Sequence, residues 1–180
     1  DIGFRSNGNL WVVGNFTNFA DVSTADYIAV WDGTTWTDGV GALASPNGRV
    51  RALAWDYTSD EVYLTGDFTA MGGVSSLQGI CRYDLTAVNA MAYGLESVSP
   101  QGNVLLFDRE NLLYIGGNFQ APNMNNGTNI VVWNGTTFAP LGDGLGDSGD
   151  TVLGLIKHDN KLIACGDFDH SGDLLLDDGI

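Results

Sequence analysis

The sequence predicts an all-β fold of repeated four-stranded antiparallel sheets, the make-up of a β-propeller, on the strength of three observations. One phrase recurs four times, as NLWVVGNF at 9–16, EVYLTGDF at 61–68, NLLYIGGNF at 111–119 and KLIACGDF at 161–168. Each copy is an apolar run that closes on Gly, then Asp or Asn, then Phe. The glycines fall at Gly14, Gly66, Gly117 and Gly166, in steps of 52, 51 and 49 residues, a near-constant period that signals an array or a propeller. Finally, 25 glycines with no collagen triplet, in a chain 44% hydrophobic and 16% charged, suit short strands and tight turns around a substantial core.

In chain order, IGF (2–4) ends an apolar segment, Asn7-Gly8 supplies a hairpin turn, and LWVV follows as a strand. After a polar loop from Thr17 to Asp26, YIAVW (27–31) is the third strand, and Asp32-Gly33 turns it into TTW (34–36). A glycine-rich connection from Gly39 to Gly48 leads to RVRALAWD (49–56). The second unit continues with EVYLTGDF, GICRYDL and a weak fourth strand around Ala90 to Tyr93. Its Asp84-Leu85-Thr86-Ala87 replaces the Asp-Gly turn, so that hairpin is expected to be longer or irregular. The third unit runs NVLLFD (103–108), NLLYIGGNF, NIVVW (129–133), Asn134-Gly135 and TTF (136–138). The fourth holds TVLGLIKHD (151–159) and KLIACGDF.

The expected blades are therefore 1–48, 49–100, 101–150 and a partial 151–180, all in one propeller. Gly66 to Ile80 and Gly166 to Ile180 are matching intervals, so the sequence stops where a third strand should begin. It opens without Met inside a repeat. The expectation is a segment of a longer ring, its missing blades supplied by the same longer chain or by another chain. First strands would line the channel, and sheets packed on both sides explain their apolar character.

Seven Lys and Arg against 22 acidic residues give a formal charge of -15, which argues against nucleic acid or anionic lipid as a partner. No run approaches the about 18 apolar residues of a membrane span, so no membrane insertion is expected. Cys81 and Cys165 lie in apolar strand segments and read as two small buried thiols. Trp31, Tyr83 and Trp133 recur at matching places and read as core positions facing the repeat glycines.

The pattern of an apolar run, Gly-Asp/Asn-Phe-Thr, a loop with Gly72-Gly73, and a strand ending in WDGTTW (31–36) or WNGTTF (133–138) resembles the repeats of kelch-like and galactose-oxidase-like propellers. It is most similar to the glycine-rich GGxFT…WNGTTW repeats of bacterial surface proteins, phage tail-fibre and other virion proteins, and fungal cortical marker proteins. The resemblance covers the whole chain and implies fold more firmly than function, because propellers host enzymes, adhesins and scaffolds alike. Galactose oxidases, as a family, hold copper through two Tyr and two His with one Tyr crosslinked to Cys. Here the two histidines, His158 and His170, sit in different segments of one unit with no Tyr–Cys pairing evident, and read as a hairpin residue and a loop residue. Sialidase-type propellers share an Arg triad and SxDxGxTW boxes, and Arg5, Arg49, Arg51, Arg82 and Arg109 come with no such box. No catalytic constellation emerges.

DFDHSGDLLLDD (167–178) can be counted as a calcium loop, with Asp167, Asp169, Ser171 and Asp173 at positions 1, 3, 5 and 7, Gly172 at 6 and Asp178 at 12. The same segment aligns without a gap to DFTAMGGVSSLQ (67–78), which lacks those carboxylates, so the repeat is the default reading and no cofactor is expected. The sequons at Asn15, Asn126 and Asn134 accept glycans only in a eukaryotic secretory setting, and turn chemistry explains the two that belong to the repeat. The acidic loop with Asp143, Asp147 and Asp150 reads as a solvated connection. The expected function is a non-catalytic structural or recognition module of an exposed assembly, on a virion appendage or a cell surface. Loops 17–26, 69–78 and 120–128 would face a protein subunit or a surface glycan. The alternative is part of a carbohydrate-active enzyme whose catalytic residues lie outside this segment.

Overall fold

The computed structural model describes residues 1–120 and 127–171, apart from the side chains of 97–99. Its sixteen strands are β1 (Ile2–Phe4), β2 (Leu10–Val13), β3 (Ile28–Trp31), β4 (Trp36–Thr37), β5 (Val50–Asp56), β6 (Glu61–Gly66), β7 (Ala70–Met71) and β8 (Val74–Ser75), followed by β9 (Ile80–Tyr83), β10 (Val88–Ala90), β11 (Glu96–Phe107), β12 (Leu113–Gln120), β13 (Ile130–Trp133), β14 (Phe138–Pro140), β15 (Thr151–His158) and β16 (Lys161–Asp167). No α-helix occurs among the described residues; a short 3₁₀ turn covers Phe19–Asp21.

Three four-stranded antiparallel sheets form in the orders β1-β2-β3-β4, β5-β6-β9-β10 and β11-β12-β13-β14. β15 and β16 form a two-stranded fourth sheet, and β7 and β8 a small ribbon in the loop after β6. The sheets pack in chain order: β1 and β2 lie against β5, β5 and β6 against β11, and β11 and β12 against β15.

Alternation along each strand decides which seam a side chain enters. On β5, Leu53 and Trp55 enter the cluster shared with the first sheet, while Ala52 and Ala54 enter the cluster shared with the third. On β6, Val62 and Leu64 point back and Tyr63 points forward. The second sheet is buried on both faces for this reason.

Strand register makes the seam a repeating set of six. Leu53, Trp55, Val62, Leu64, Tyr83 and Val88 of the second sheet lie in the first cluster. Their register equivalents in the third sheet, Leu105, Phe107, Leu113, Ile115, Trp133 and Phe138, lie in the second cluster or, for Phe107, pack against it. In the first sheet the same six positions are Ile2, Phe4, Leu10, Val12, Trp31 and Trp36. None of these six is buried, and Ile2 and Phe4 are 63% and 58% exposed. Trp31, Tyr83 and Trp133 therefore pair across the strands with Leu10, Val62 and Leu113, four residues before the repeat glycine, and do not face the glycine as expected. Tyr83 and Trp133 are buried and Trp31 only half so, because among the described residues no sheet covers it.

The repeat glycine has a different cause. Gly66, Gly117 and Gly166 each pair beside a bulge in the first strand. A Cβ there would drive into the carbonyl of Arg49, Gln101 or Thr151 respectively. Close backbone approach excludes every other residue.

Two local expectations are corrected. The fourth strand of the second sheet is Val88–Ala90, because Val88 pairs with Tyr83 as Phe138 pairs with Trp133. The Asp84 hairpin is also regular. Asp32, Asp84 and Asn134 each accept two backbone N–H bonds at 2.7–3.0 Å, and each closes on a 3.3 Å backbone bond to the residue three further on. Leu85, at φ 69°, takes the left-handed position that Gly33 and Gly135 occupy in the other turns.

Candidate functional site

The hairpins joining first to second strands lie at one end of the sheets, where those of the second, third and fourth sheets flank an open cleft of about 890 Å³. Trp55, Leu106 and Phe107 contribute from the strands. Tyr57 and Thr58 come from the β5–β6 turn, Asp108 to Asn111 from the β11–β12 turn, and Ile156, Lys157 and Asn160 from the fourth sheet.

Two ion pairs stiffen this end. Arg5, at the start of the first hairpin, donates through Nε to both carboxylate oxygens of Asp60 at 3.0 and 3.1 Å and also engages it through Nη2. The pairing raises the pKa of Arg5 and lowers that of Asp60. Tyr57 donates its hydroxyl to the Phe4 carbonyl at 3.1 Å and remains 64% exposed. On the other side, Lys157 Nζ lies 2.7 Å from Asp108 Oδ2, 3.7 Å from Glu110 Oε2 and 5.8 Å from the centre of the Tyr114 ring. Burial pushes the Asp108 carboxyl upward. The Lys157 bond and the backbone N–H groups of Leu112 and Glu110 outweigh it, and the net shift is downward. Asp108 is thus an ionised, anchored carboxylate. Arg109, Glu110, Asn111 and Asn160 are exposed around the rim. An apolar and aromatic floor with charged and amide groups above it is suited to holding a polar ligand that also has an apolar face.

The sequence-derived candidates lie elsewhere. Asp167 ends β16 opposite Thr151, and Asp169 lies 2.6 Å from the ring Nδ1 of its neighbour His170, which raises the pKa of that imidazole. Ser171 bridges to Leu145. Asp173 and Asp178 lie outside the described residues. Among the described residues no group of three or more His, Cys, Asp or Glu side chains is placed to hold a metal ion. His158 is exposed at the β15–β16 turn. The two cysteines are free: Cys81 is buried, with its thiol pKa pushed up, whereas Cys165 is exposed, contrary to the reading of two buried thiols. Cys165 takes the register position of Thr65, which the third sheet covers.

Loops 17–26 and 69–78 lie at the opposite end of the second strands from the cleft. Phe19 packs on Phe16 and Trp36 in the first, and Met71 and Leu77 are buried in the second. Of loop 120–128, residues 121–126 lie outside the described residues. The cleft is not legible in the sequence because its turn residues lie in the hairpin that does not repeat: YTSD, REN and DN. That contrast with the repeated WDGTT and WNGTT turns is the signal that could have found it. Among the described residues no helix is long and apolar enough to cross a membrane. In comparisons with known proteins, no family model, curated protein or solved structure matches this chain.

Proposed function

We propose that the chain is a run of β-propeller blades acting as a non-catalytic recognition module of an exposed assembly, such as a virion appendage or a cell-surface protein. Glycan is the ligand class that its cleft favours. The propeller reading is supported by sheets that stack in chain order through one repeated six-residue seam. The observation that carries recognition is the cleft itself. Its walls are held by the Arg5–Asp60 and Lys157–Asp108 pairs, and exposed Tyr57 and Arg109 are left to meet a ligand. A tyrosine ring offers an apolar face to a sugar, and rim amides and charges offer hydrogen bonds to its hydroxyls. The strongly acidic surface suits neutral or basic partners over phosphorylated ones.

A glycan array probed with the 180-residue chain tests this reading. A restricted set of glycans should be retained, Tyr57→Ala should weaken binding at least tenfold, and the bound glycans should be recovered uncleaved. Uniform absence of retention, or retention untouched by Tyr57→Ala, would sink it.

A further inference from the structure

The hairpins joining third to fourth strands are each built on one side chain that accepts hydrogen bonds from the backbone just beyond the next residue. In two of them that side chain is a carboxylate. Asp32 Oδ1 accepts from the N–H groups of Thr34 and Thr35, each at 2.8 Å, and Asp84 Oδ1 from those of Thr86 and Ala87 at 2.9 and 2.7 Å. In the third it is an amide. Asn134 Oδ1 accepts from the N–H groups of Thr136 and Thr137 at 3.0 and 2.9 Å. An amide in this place has a route that an ionised carboxylate lacks, because its nitrogen can leave as ammonia.

The residue after Asn134 is Gly135, exposed, at φ 94°, with no atom within 4 Å of where a Cβ would stand. Its nitrogen is therefore unshielded, and among the described residues no backbone carbonyl accepts from its N–H. The two N–H donors fold the Asn134 side chain back over its own following backbone. Attack of the Gly135 nitrogen on Cγ places negative charge on Oδ1, the oxygen to which Thr136 and Thr137 already donate.

Two other Asn-Gly pairs in the described residues are built differently. At Asn7-Gly8 the glycine N–H is spent on the Arg5 carbonyl at 2.9 Å. At Asn47-Gly48 the asparagine side chain is tied to a distant segment: Nδ2 donates to Thr69 Oγ1 at 3.0 Å, and Oδ1 accepts from the N–H groups of Thr69 and Ala70 at 2.8 and 3.0 Å. Those bonds draw Cγ away from Gly48. They also hold the nitrogen that would have to leave.

We propose that Asn134-Gly135 is a site of intramolecular deamidation, selected by the fold over Asn7-Gly8 and Asn47-Gly48. The Gly135 nitrogen loses its proton to base and bonds to Asn134 Cγ. The Cγ–Nδ2 bond then breaks, and Nδ2 takes a proton from solvent and leaves as ammonia. Water opens the resulting cyclic imide at either carbonyl, which leaves aspartate or isoaspartate at position 134. No oxidant or reductant takes part. The aspartate product adds one negative charge and reproduces the turn that Asp32 and Asp84 already make, whereas isoaspartate inserts an extra backbone carbon into it.

Peptide mapping by mass spectrometry, with isoaspartate resolved from aspartate, tests this on the 180-residue chain in mildly alkaline buffer, folded and in denaturant. In denaturant the three pairs should react at similar rates. In the folded chain Asn134 should keep its rate while Asn7 and Asn47 fall at least tenfold below it. Asn134→Asp should fold with a Tm no lower than that of the native chain, as expected if the carboxylate suits all three turns. Folding that slows Asn134 as much as Asn47, or a folded chain that deamidates first at Asn7 or Asn47, overturns the proposal.

Discussion

The first and last seams solve one geometric problem with different chemistry. Between the first two sheets the central contact is Trp11 against Trp55, with both indoles buried and neither indole N–H meeting an oxygen or nitrogen acceptor. The edge-to-face arrangement lets an electropositive ring edge meet a π face, which offsets part of that loss. Between the third and fourth sheets the residue in the place of Trp55 is Lys157, whose ammonium lies over Tyr114 and bonds to Asp108. The backbone register is the same, so the seam geometry comes from strand pairing and the bulge, and the contact chemistry can vary within it. The aromatic seam depends on buried area. The lysine seam depends on charge, and its strength therefore varies with pH.

The largest effect expected from that contrast is at the aromatic seam. Trp55→Ala should cost about 4 kcal/mol in denaturant unfolding, because it opens a cavity between two sheets and strips Trp11 of its partner. A cost below about 1 kcal/mol would mean that the seam does not hold the sheets together.

The lysine seam should show a smaller loss with a distinctive pH profile. The Asp108 pKa is lowered on folding, so its stabilisation is present above the ordinary carboxylate value and is lost as pH falls through the lowered one. The Lys157 pKa is raised, so its contribution is present below the ordinary lysine value and is lost as pH rises through the raised one. Against Lys157→Met, which removes the charge, the stability advantage of the native chain should be greatest between about pH 5 and pH 10 and shrink on both sides. The difference between Trp55→Ala and the native chain should stay flat over that range. Parallel profiles for the two seams would erase the distinction.

The smallest effect concerns a turn rather than a seam. Gly33, at φ 103° with open space around it, shares its place with Leu85 of the next sheet. Gly33→Ala should lose about 1 kcal/mol to left-handed strain, measured as a shift in the denaturation midpoint with an unchanged slope. A neutral result would show that the Asp32 hydrogen bonds hold the turn whatever residue follows.

Most strands were legible in the sequence because apolar alternation and the WDGTT and WNGTT turns are local signals. EVYLTG, ICRY and IVVW all form the strands that their residues imply. The fourth strand of the second sheet was misplaced because a run of apolar residues from Ala90 is weaker evidence than the cross-strand pairing that aligns Val88 with Tyr83. The burial of Cys165 was misread because its segment is as apolar as the others. Exposure there depends on whether another sheet covers it.

The sequence by itself determined the period, the all-β character and the tight turns, all of which follow from neighbours along one chain. Only the tertiary structure decided that six register positions line each of the first two seams, that Lys157 stands where an aromatic stands elsewhere, and that hairpins some 50 residues apart meet around a cleft. Those features join residues that no local pattern connects. They come into being when strand register and sheet stacking bring distant side chains within contact range.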